Sequence, residues 1–308
     1  MMDLYYVHFK AMGCHVTVQF ESEMGNADPL ARLATQVEAI EDRLSRFRPE
    51  SELMRLNAQA GQWVTVSDLL FSAIHAAKHA ARLTDGLYNP LVLPAMIANG
   101  YDRSFEQVGL PLAQSPLPAA DWRQIGINVR THEVCVPQGS AIDLGGTGKG
   151  WTAARIADEL AQHGACLVNF GGDMAVRGAP RGLPGWDIEI EDPLNGEALA
   201  SLSLHSGSIA TSGVDYRRWR TVDGRSFHHI LDPLTGLPAE TDILAATIIH
   251  PHAPTAEAYA KAVILKGSMD GLSWLNNQWN TAGLIVRHDG EVQATSNFGP
   301  YINERTVS

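Results

Sequence analysis

Short segments in which every second residue is apolar recur along the chain, and several of them are separated only by a tight turn. One such pair covers residues 5–9 and 15–20, with Gly13 between the two segments. Another pair surrounds Asp289-Gly290, a dipeptide typical of a type I′ hairpin turn. Hairpin turns join antiparallel neighbours, so the pattern predicts an α+β fold with mixed or mainly antiparallel sheets and flanking helices. It argues against a doubly wound parallel sheet.

Helices are predicted where apolar residues recur every three or four positions. The first is expected to begin at Asp28-Pro29 and to end near Arg48-Pro49, because the residue before a proline is driven out of the helical region. Ser67 is expected to cap the second helix, which ends at Asp85-Gly86, and a late helix is expected over residues 254–265. The apolar positions of the first two helices are Leu30, Leu33, Val37, Ile40 and Leu44, and Leu70, Ile74, Ala77 and Ala81.

Charge and composition limit the partners that we expect. The 308 residues include 23 basic and 34 acidic side chains, a formal charge of −11, which opposes attraction to nucleic acid and to anionic membranes. No apolar run is long enough to predict a membrane span. The three cysteines are scattered and no secretory leader is recognisable, so the expected location is cytoplasmic. The proline-rich residues 111–120 are interpreted as a loop at a boundary between two lobes.

A glycine-dense segment, Asp143-Leu-Gly-Gly-Thr-Gly-Lys-Gly150, precedes an alanine-rich helix. It fits neither standard phosphate-binding motif, because Asp143 and Gly150 depart from the P-loop and Trp151 departs from the Rossmann fingerprint. The glycines nevertheless allow main-chain N–H groups to approach an anion closely, and Lys149 adds a positive charge. Anion binding and a tight turn that packs a helix on a sheet both remain open.

A second polar segment contains two adjacent histidines, His228 and His229, followed by Asp232. Adjacent side chains on an extended strand point to opposite sides, so at most one of the two histidines faces a given pocket. A histidine near a carboxylate can act as a general base at neutral pH. The alternative is an exposed histidine at a strand edge, followed by an ordinary β-turn.

Six segments stand in a distinctive order along the chain. They are Ser45–Asn57, Gly86–Pro94, Asp143–Gly150, Leu167–Gly172, Ala210–Gly213 and His229–Gly236. In order and spacing they resemble the ApbE family, the FAD:protein FMN transferases, from about Met12 to Asn297. The resemblance implies an α+β flavin transferase fold with two lobes around an FAD cleft, and a single domain over residues 1–308.

The reaction that the resemblance implies is a phosphoryl transfer. FAD binds with its pyrophosphate exposed, a Thr or Ser hydroxyl of an acceptor flavoprotein attacks the phosphorus on the FMN side, and AMP leaves. His229 corresponds to the family's base, and Asp232 orders the turn that carries it. The residues implied to bind FAD are Met12, Arg48, Asn57, Tyr88, Asp143, Gly146, Lys149, Thr211, Ser212 and Gly213.

The resemblance also implies Mg²⁺, held by a loop carbonyl assigned to Gly146 and by an Asp and a Thr of the late helix. In this chain the two helix positions hold Tyr259 and Val263, neither of which is a ligand for a hard cation at neutral pH. Glu257 lies about 200° around the helix from Tyr259 and is not expected to replace the missing ligand. The sequence leaves open whether the ammonium group of Lys261 reaches the site.

Two functions besides FMN transfer therefore remain open. The first is a flavin-binding protein without transfer chemistry, which the residues Tyr259 and Val263 favour. The second is an FAD pyrophosphatase, in which water replaces the acceptor hydroxyl. Dependence on Mg²⁺ and formation of a covalent product distinguish the three functions.

Overall fold

A computed structural model describes residues 2–23, 27–108 and 115–303. The chain forms two compact units, each assembled from segments that are distant in sequence. The first unit consists of the described parts of Met1–Glu38, Lys149–Gly213 and Asp242–Ser308. The second consists of the described parts of Ala39–Gly148 and Val214–Thr241.

The helices and strands alternate irregularly along the chain. The helices are α1 (Leu33–Leu44), α2 (Glu52–Asn57), α3 (Asp68–Leu83), α4 (Leu93–Ala98), α5 (Gly148–Leu160) and α6 (Ala253–Asn276). Single 3₁₀ turns occur at Asp28–Leu30, Phe105–Gln107, Trp122–Gln124 and Gly299–Tyr301. The strands are β1 (Met2–Ala11), β2 (Cys14–Glu23), β3 (Trp63–Thr65), β4 (Gly126–Asn128), β5 (Glu133–Cys135), β6 (Ala165–Phe170), β7 (Asp173–Arg177), β8 (Trp186–Glu191), β9 (Ala198–Leu204), β10 (Gly207–Gly213), β11 (Arg218–Arg220), β12 (Ser226–His228), β13 (Ile243–His250), β14 (Ala282–Arg287) and β15 (Val292–Ala294).

The first unit is built on an antiparallel sheet in the order β1-β2-β6-β7-β10-β13-β14-β15. Strand β13 is buried along its whole length because both faces of the sheet are covered. On one face, Ile248 of β13 and Leu275 of α6 pack around Gly283 of β14. On the other face Ile249 joins a core formed with the β8–β9 hairpin. The α+β class with mainly antiparallel strands is therefore confirmed.

The predicted first hairpin is confirmed, and its turn explains the pairing of the two strands. Met12 and Gly13 both have positive φ, 51° and 66°, as a two-residue type I′ turn requires. Ala11 therefore pairs with Cys14, and the register places Val16, Val18 and Phe20 on the buried face of β2.

The two amphipathic helices are confirmed with one change at a helix start. All the apolar positions predicted for them are buried. The Ser67 hydroxyl accepts the Leu70 N–H at 3.3 Å and caps α3 as expected. The segment that begins at Asp28, however, first makes a 3₁₀ turn, and α1 begins at Leu33 and ends at Leu44.

The late helix α6 is longer than the sequence predicts and is broken at Gly267. Gly267 has φ 75°, outside the helical region, so the chain changes direction there. Asp242 caps the second segment, because its carboxylate accepts the Ser268 N–H at 2.9 Å and the Ser268 hydroxyl at 2.5 Å.

The second unit contains smaller sheets and most of the short helices. Strands β3, β5 and β4 form one antiparallel sheet, and β11 pairs with β12. Trp219 of β11 and Phe227 of β12 belong to a small core that also contains Met96 and Tyr101. Helix α3 is buried through its alanine-rich face.

Two predictions about connections are wrong. The turn at Asp289-Gly290 is not type I′, because only Gly290 of the two residues has positive φ. The Gly290 N–H donates to the Arg287 carbonyl, and the loop has three residues instead of two, which gives a type I turn followed by a bulge. The proline-rich loop is not a boundary. Residues 111–114 of that segment lie outside the described residues, and the unit boundaries follow Glu38, Gly148, Gly213 and Thr241.

Within the described residues, no helix is both long and apolar enough to span a membrane.

Candidate functional site

In the second unit, the segment after β12 forms a turn that Asp232 organises. The Asp232 carboxylate accepts the Leu234 N–H at 2.9 Å and the Thr235 hydroxyl at 3.3 Å. The Asp232 main-chain oxygen accepts the Gly236 N–H at 2.8 Å. These bonds satisfy the turn's polar groups locally and hold the segment in one conformation.

The same turn is packed closely against the rest of its unit. Gly236 has φ 70°, and a Cβ atom at this position would lie 2.2 Å from the carbonyl oxygen of Leu117. The Gly236 carbonyl accepts a hydrogen bond of 2.6 Å from the Asn99 side chain. Only glycine fits both the backbone conformation and the space.

The two adjacent histidines differ in what they bind. His228 Nε2 donates to the carbonyl of Ala239 at 3.1 Å, and His228 Nδ1 accepts the Ile230 N–H at 3.3 Å. Both ring nitrogens of His228 are therefore used to fix its own loop. His229 is half-buried and stands a few residues before the Asp232 turn.

Three predicted site residues meet at the glycine-dense loop in the second unit. Asn57 forms two hydrogen bonds with Ile142, one to its carbonyl at 2.9 Å and one from its N–H at 2.8 Å. The Tyr88 hydroxyl lies 3.0 Å from the Thr147 hydroxyl. Asp143 accepts the Gly145 N–H at 2.7 Å and is buried. The structure thus brings Asn57 and Tyr88 to the loop that contains Asp143.

Sequence reasoning missed Arg46, which is more closely tied to this loop than the predicted Arg48. Arg46 is buried; its Nε lies 3.4 Å from the Asp143 carboxylate, and its guanidinium stacks on the Phe47 and Tyr101 rings. Among the described residues, its Nη2 has no hydrogen-bond acceptor. Arg48 instead forms ion pairs with Glu41 and Asp42. Position within the segment could not reveal which arginine is buried.

The first unit holds Met12 and the β10 residues. Met12 lies in the hairpin turn that joins β1 to β2. On β10, the Thr211 hydroxyl lies 2.9 Å from the hydroxyl of Thr247, its partner on β13. Ser212 and Gly213 follow and are buried at the end of the strand.

A group of four charged side chains lies at the start of α5, also in the first unit; we call it the charge cluster, and it consists of Lys149, Asp173, Glu257 and Lys261. Lys149 forms an ion pair with Asp173. Glu257, which is 1 % exposed, accepts the Gly150 N–H at 3.0 Å. Lys261 donates to the Ser212 hydroxyl at 3.5 Å and to the Glu257 main-chain oxygen at 3.2 Å.

Small residues allow this close packing. A Cβ atom on Gly150 would lie 2.7 Å from Glu257 Oε2 and 3.1 Å from the Ala253 side chain. Helix α6 carries buried alanines at most positions around Glu257. The Glu257 carboxylate therefore reaches one of the N–H groups that the first turn of α5 leaves without a helical partner.

Burial and neighbouring charge set the pKa values in the charge cluster. Burial, reinforced by the Asp173 carboxylate, raises the pKa of Glu257 to about 8, although Lys261, Lys149 and the Gly150 N–H oppose the shift. Burial alone lowers the pKa of the Lys149 amine, but Asp173 and Glu257 raise it above its usual range overall. Lys149 is therefore a cation at neutral pH.

Tyr259 and Val263, which the resemblance assigns to the metal-binding positions of α6, both pack against other residues of the first unit. The Tyr259 ring packs edge-on against His250 and Trp274, and its hydroxyl donates to Gln278 at 3.2 Å. Val263 is fully buried and packs against Gly271. Both residues are core residues. The α6 residues that reach Gly150 and Ser212 are instead Glu257 and Lys261. They are four residues apart, as Tyr259 and Val263 are, and each lies two residues earlier in the helix.

This donor set does not fit the Mg²⁺ that the resemblance implies. Mg²⁺ requires oxygen ligands in nearly octahedral geometry, and α6 offers one carboxylate followed by an ammonium group. A divalent ion about 4 Å from the Lys261 ammonium would be repelled by about 8 kcal/mol at an effective dielectric constant of about 20. The two carboxyl groups of the cluster are matched by two ammonium groups, and burial disfavours the ionised form of Glu257, so the cluster provides no net attraction for a cation. Within the described ranges no three His, Cys, Asp or Glu side chains form a group that could hold a metal.

Comparison with known proteins agrees with the fold. The ApbE family profile matches residues 12–285. The chain belongs to the ApbE family. The match includes every site residue predicted above, from Met12 to Val263.

Similar proteins cover nearly the whole chain. An FAD:protein FMN transferase of Treponema pallidum is 30 % identical over 275 residues, covering 82 % of this chain and 75 % of that protein. One from Klebsiella pneumoniae is 28 % identical, covering 86 % and 84 %. The crystal structure of the ApbE protein from Thermotoga maritima has a TM-score of 0.87 at 27 % identity, covering 98 % of this chain and all of that one. The fold is therefore the ApbE flavin transferase fold.

Proposed function

We propose that residues 1–308 act as one FAD:protein FMN transferase domain, which moves FMN from FAD to a Thr or Ser hydroxyl of an acceptor flavoprotein. The observation that carries the proposal is the family match over residues 12–285, together with the turn that Asp232 builds a few residues after His229. The names of the relatives favour transfer over FAD hydrolysis and over simple flavin binding.

The proton transfer is assigned to His229. Its imidazole accepts the proton of the acceptor hydroxyl while the hydroxyl oxygen forms a bond to the phosphorus on the FMN side of the pyrophosphate. The bond from that phosphorus to the bridging oxygen breaks, and the bridging oxygen leaves as part of the AMP phosphate. The hydrogen bonds of Asp232 and the close packing of Gly236 keep the His229 segment in place during this step.

Binding of FAD is assigned to the remaining predicted residues of each unit. In the second unit these are Arg48, Asn57, Tyr88, Asp143 and Gly146, to which we add Arg46 because its buried guanidinium retains a donor for a ligand. In the first unit they are Met12, Lys149, Thr211, Ser212 and Gly213. The cytoplasmic location stays a prediction of the sequence.

The intact mass of an acceptor domain tests the function. The purified protein is incubated with FAD and an acceptor flavoprotein that a T. pallidum-type transferase labels, once with Mg²⁺ and once with a chelator. The proposal expects the acceptor to gain the mass of one FMN and free AMP to appear. Release of FMN and AMP without a mass gain would show a pyrophosphatase, and retention of intact FAD would show a binding protein.

A further inference from the structure

The late helix of this protein presents an ammonium group at a position where a metal-binding helix would present an oxygen ligand. Lys261 Nζ lies 3.5 Å from the Ser212 hydroxyl and 3.2 Å from the Glu257 main-chain oxygen. Both oxygens are neutral; the first lies at the end of β10, and the second belongs to α6 itself. A cation is thus held at the strand end that carries Thr211, Ser212 and Gly213, which the resemblance to the ApbE family implies bind FAD.

The other three members of the charge cluster contact one another or the main chain of α5. Asp173 is 4 % exposed in its side chain and pairs with Lys149. Glu257 accepts the Gly150 N–H and is buried completely, which disfavours its charged form. A pyrophosphate, which carries two negative charges in FAD, would meet a positive group here without any divalent ion.

We propose that the Lys261 ammonium, in place of a divalent cation, binds the pyrophosphate of FAD beside Ser212, so that FAD binding and FMN transfer by this protein are independent of Mg²⁺. This inference rests on the proposed function, since it concerns the same dinucleotide. Lys261 takes no part in bond making. It neutralises charge on the phosphate oxygens while the acceptor oxygen bonds to the FMN phosphorus and AMP leaves with the bridging oxygen.

A lysine suits this task because of its shape and hydration. Its ammonium is a compact charge with three donors that bind phosphate oxygens without coordination geometry. Because the ammonium group is part of the protein, binding of the phosphate requires neither a free metal ion nor the removal of water from such an ion. The neighbouring Ser212 hydroxyl adds a second donor to the same oxygens while its own oxygen accepts from Lys261.

The affinity for FAD, measured by quenching of flavin fluorescence, tests the proposal without requiring turnover. Wild-type protein is titrated with FAD in EDTA and in Mg²⁺, and Lys261→Met is compared with Lys261→Arg. Lys266→Met is the matched control, because it removes one charge from the same helix at a residue that stacks on Trp274.

The expected result is equal wild-type affinity in EDTA and Mg²⁺, with a loss of about 10- to 100-fold in Lys261→Met, as for a lost charge-assisted hydrogen bond. Lys261→Arg and Lys266→Met are expected to bind as the wild type does. Riboflavin, which has no phosphate, should bind equally to wild type and Lys261→Met.

Two results would overturn the proposal. One is wild-type FAD binding that appears only with Mg²⁺, and the other is equal FAD affinity of Lys261→Met and Lys266→Met. If Lys261→Met does not fold, the wild-type comparison and retention of binding by Lys261→Arg still decide the question. Absence of FAD binding by the wild type in both buffers would instead overturn the proposed function itself.

Discussion

The two units use polar side chains in different ways. In the second unit, Asn57 binds main-chain groups of Ile142, Asp232 binds the Leu234 N–H of its own turn, and Asp143 pairs with Arg46, which lies just after α1. In the first unit, the charge cluster gathers two ammonium and two carboxyl groups at the start of α5. The second unit's groups fix the shape of loops, and the first unit's groups set local charge.

This difference predicts different responses to substitution. Removal of a side chain that shapes a loop should reduce stability or misplace the residue that the loop carries. Removal of a charge from the cluster should change anion affinity with a smaller effect on folding. Each prediction below tests one side of this comparison, beginning with the largest expected effect.

Substitution of His229 should abolish most transfer without loss of FAD affinity. His229→Gln removes the base, and general-base catalysis typically contributes about 10²- to 10⁴-fold to the rate. We expect kcat to fall within that range while FAD affinity, measured by fluorescence, stays unchanged. His205→Gln, at an exposed histidine, is the control. A His229→Gln protein with wild-type kcat would remove the proton-transfer assignment.

Gly236→Ala should destabilise the second unit by more than about 2 kcal/mol. The new Cβ atom would lie 2.2 Å from the Leu117 carbonyl oxygen, and a positive φ alone costs an alanine about 1–2 kcal/mol. Gly224→Ala is the matched control, because Gly224 also has positive φ, 84°, but nothing lies near its Cβ position. Urea denaturation should show the larger loss for Gly236→Ala, and equal losses would contradict the close approach to Leu117.

His250 should make the first unit sensitive to acid. Burial lowers the pKa of His250 from 6.5 to about 4; the hydrogen bond with the His252 main chain opposes this shift, and the charge of the His252 side chain adds to it. The unfolded chain therefore takes up a proton that the folded chain does not, so stability is lost as the pH falls from about 6.5 towards 4, by at most about 3 kcal/mol. The free energy of unfolding of His250→Asn should lack this part of the pH dependence. If the free energy of unfolding of the wild type and of His250→Asn depended on pH in the same way, this would contradict the lowered pKa of His250.

Tyr259→Phe should have the smallest effect, and only on stability. The substitution removes the hydroxyl that donates to Gln278 and should cost about 1 kcal/mol. FAD affinity should not change, because the residue packs in an aromatic cluster with His250 and Trp274. A marked loss of FAD affinity in Tyr259→Phe would return Tyr259 to the site and contradict the shift of two residues along α6.

Local patterns in the sequence predict most of the helices, strands and turns of this protein. The β1–β2 turn and the Ser67 cap depend on neighbouring residues, so alternation and capping preferences suffice to place them. The type I′ prediction at Asp289-Gly290 failed because one extra loop residue changes the turn type without changing the dipeptide.

The candidate site is harder to predict because its geometry depends on packing. Gly150 and Glu257 are 107 residues apart, and no local pattern pairs them. Alanines alternate with larger residues along α6, and only the contacts in the structure show that Glu257 reaches Gly150 while Tyr259 bonds to Gln278. Arg46 and Arg48 are likewise two residues apart, and burial alone separates them.

The central claim is that this protein transfers FMN with a lysine in place of a divalent ion. The most direct measurement is the intact mass of an acceptor flavoprotein after incubation with the protein and FAD in EDTA, beside the same reaction in Mg²⁺. The account predicts a gain of one FMN at the same rate in both. A gain that occurs only with Mg²⁺ would contradict it.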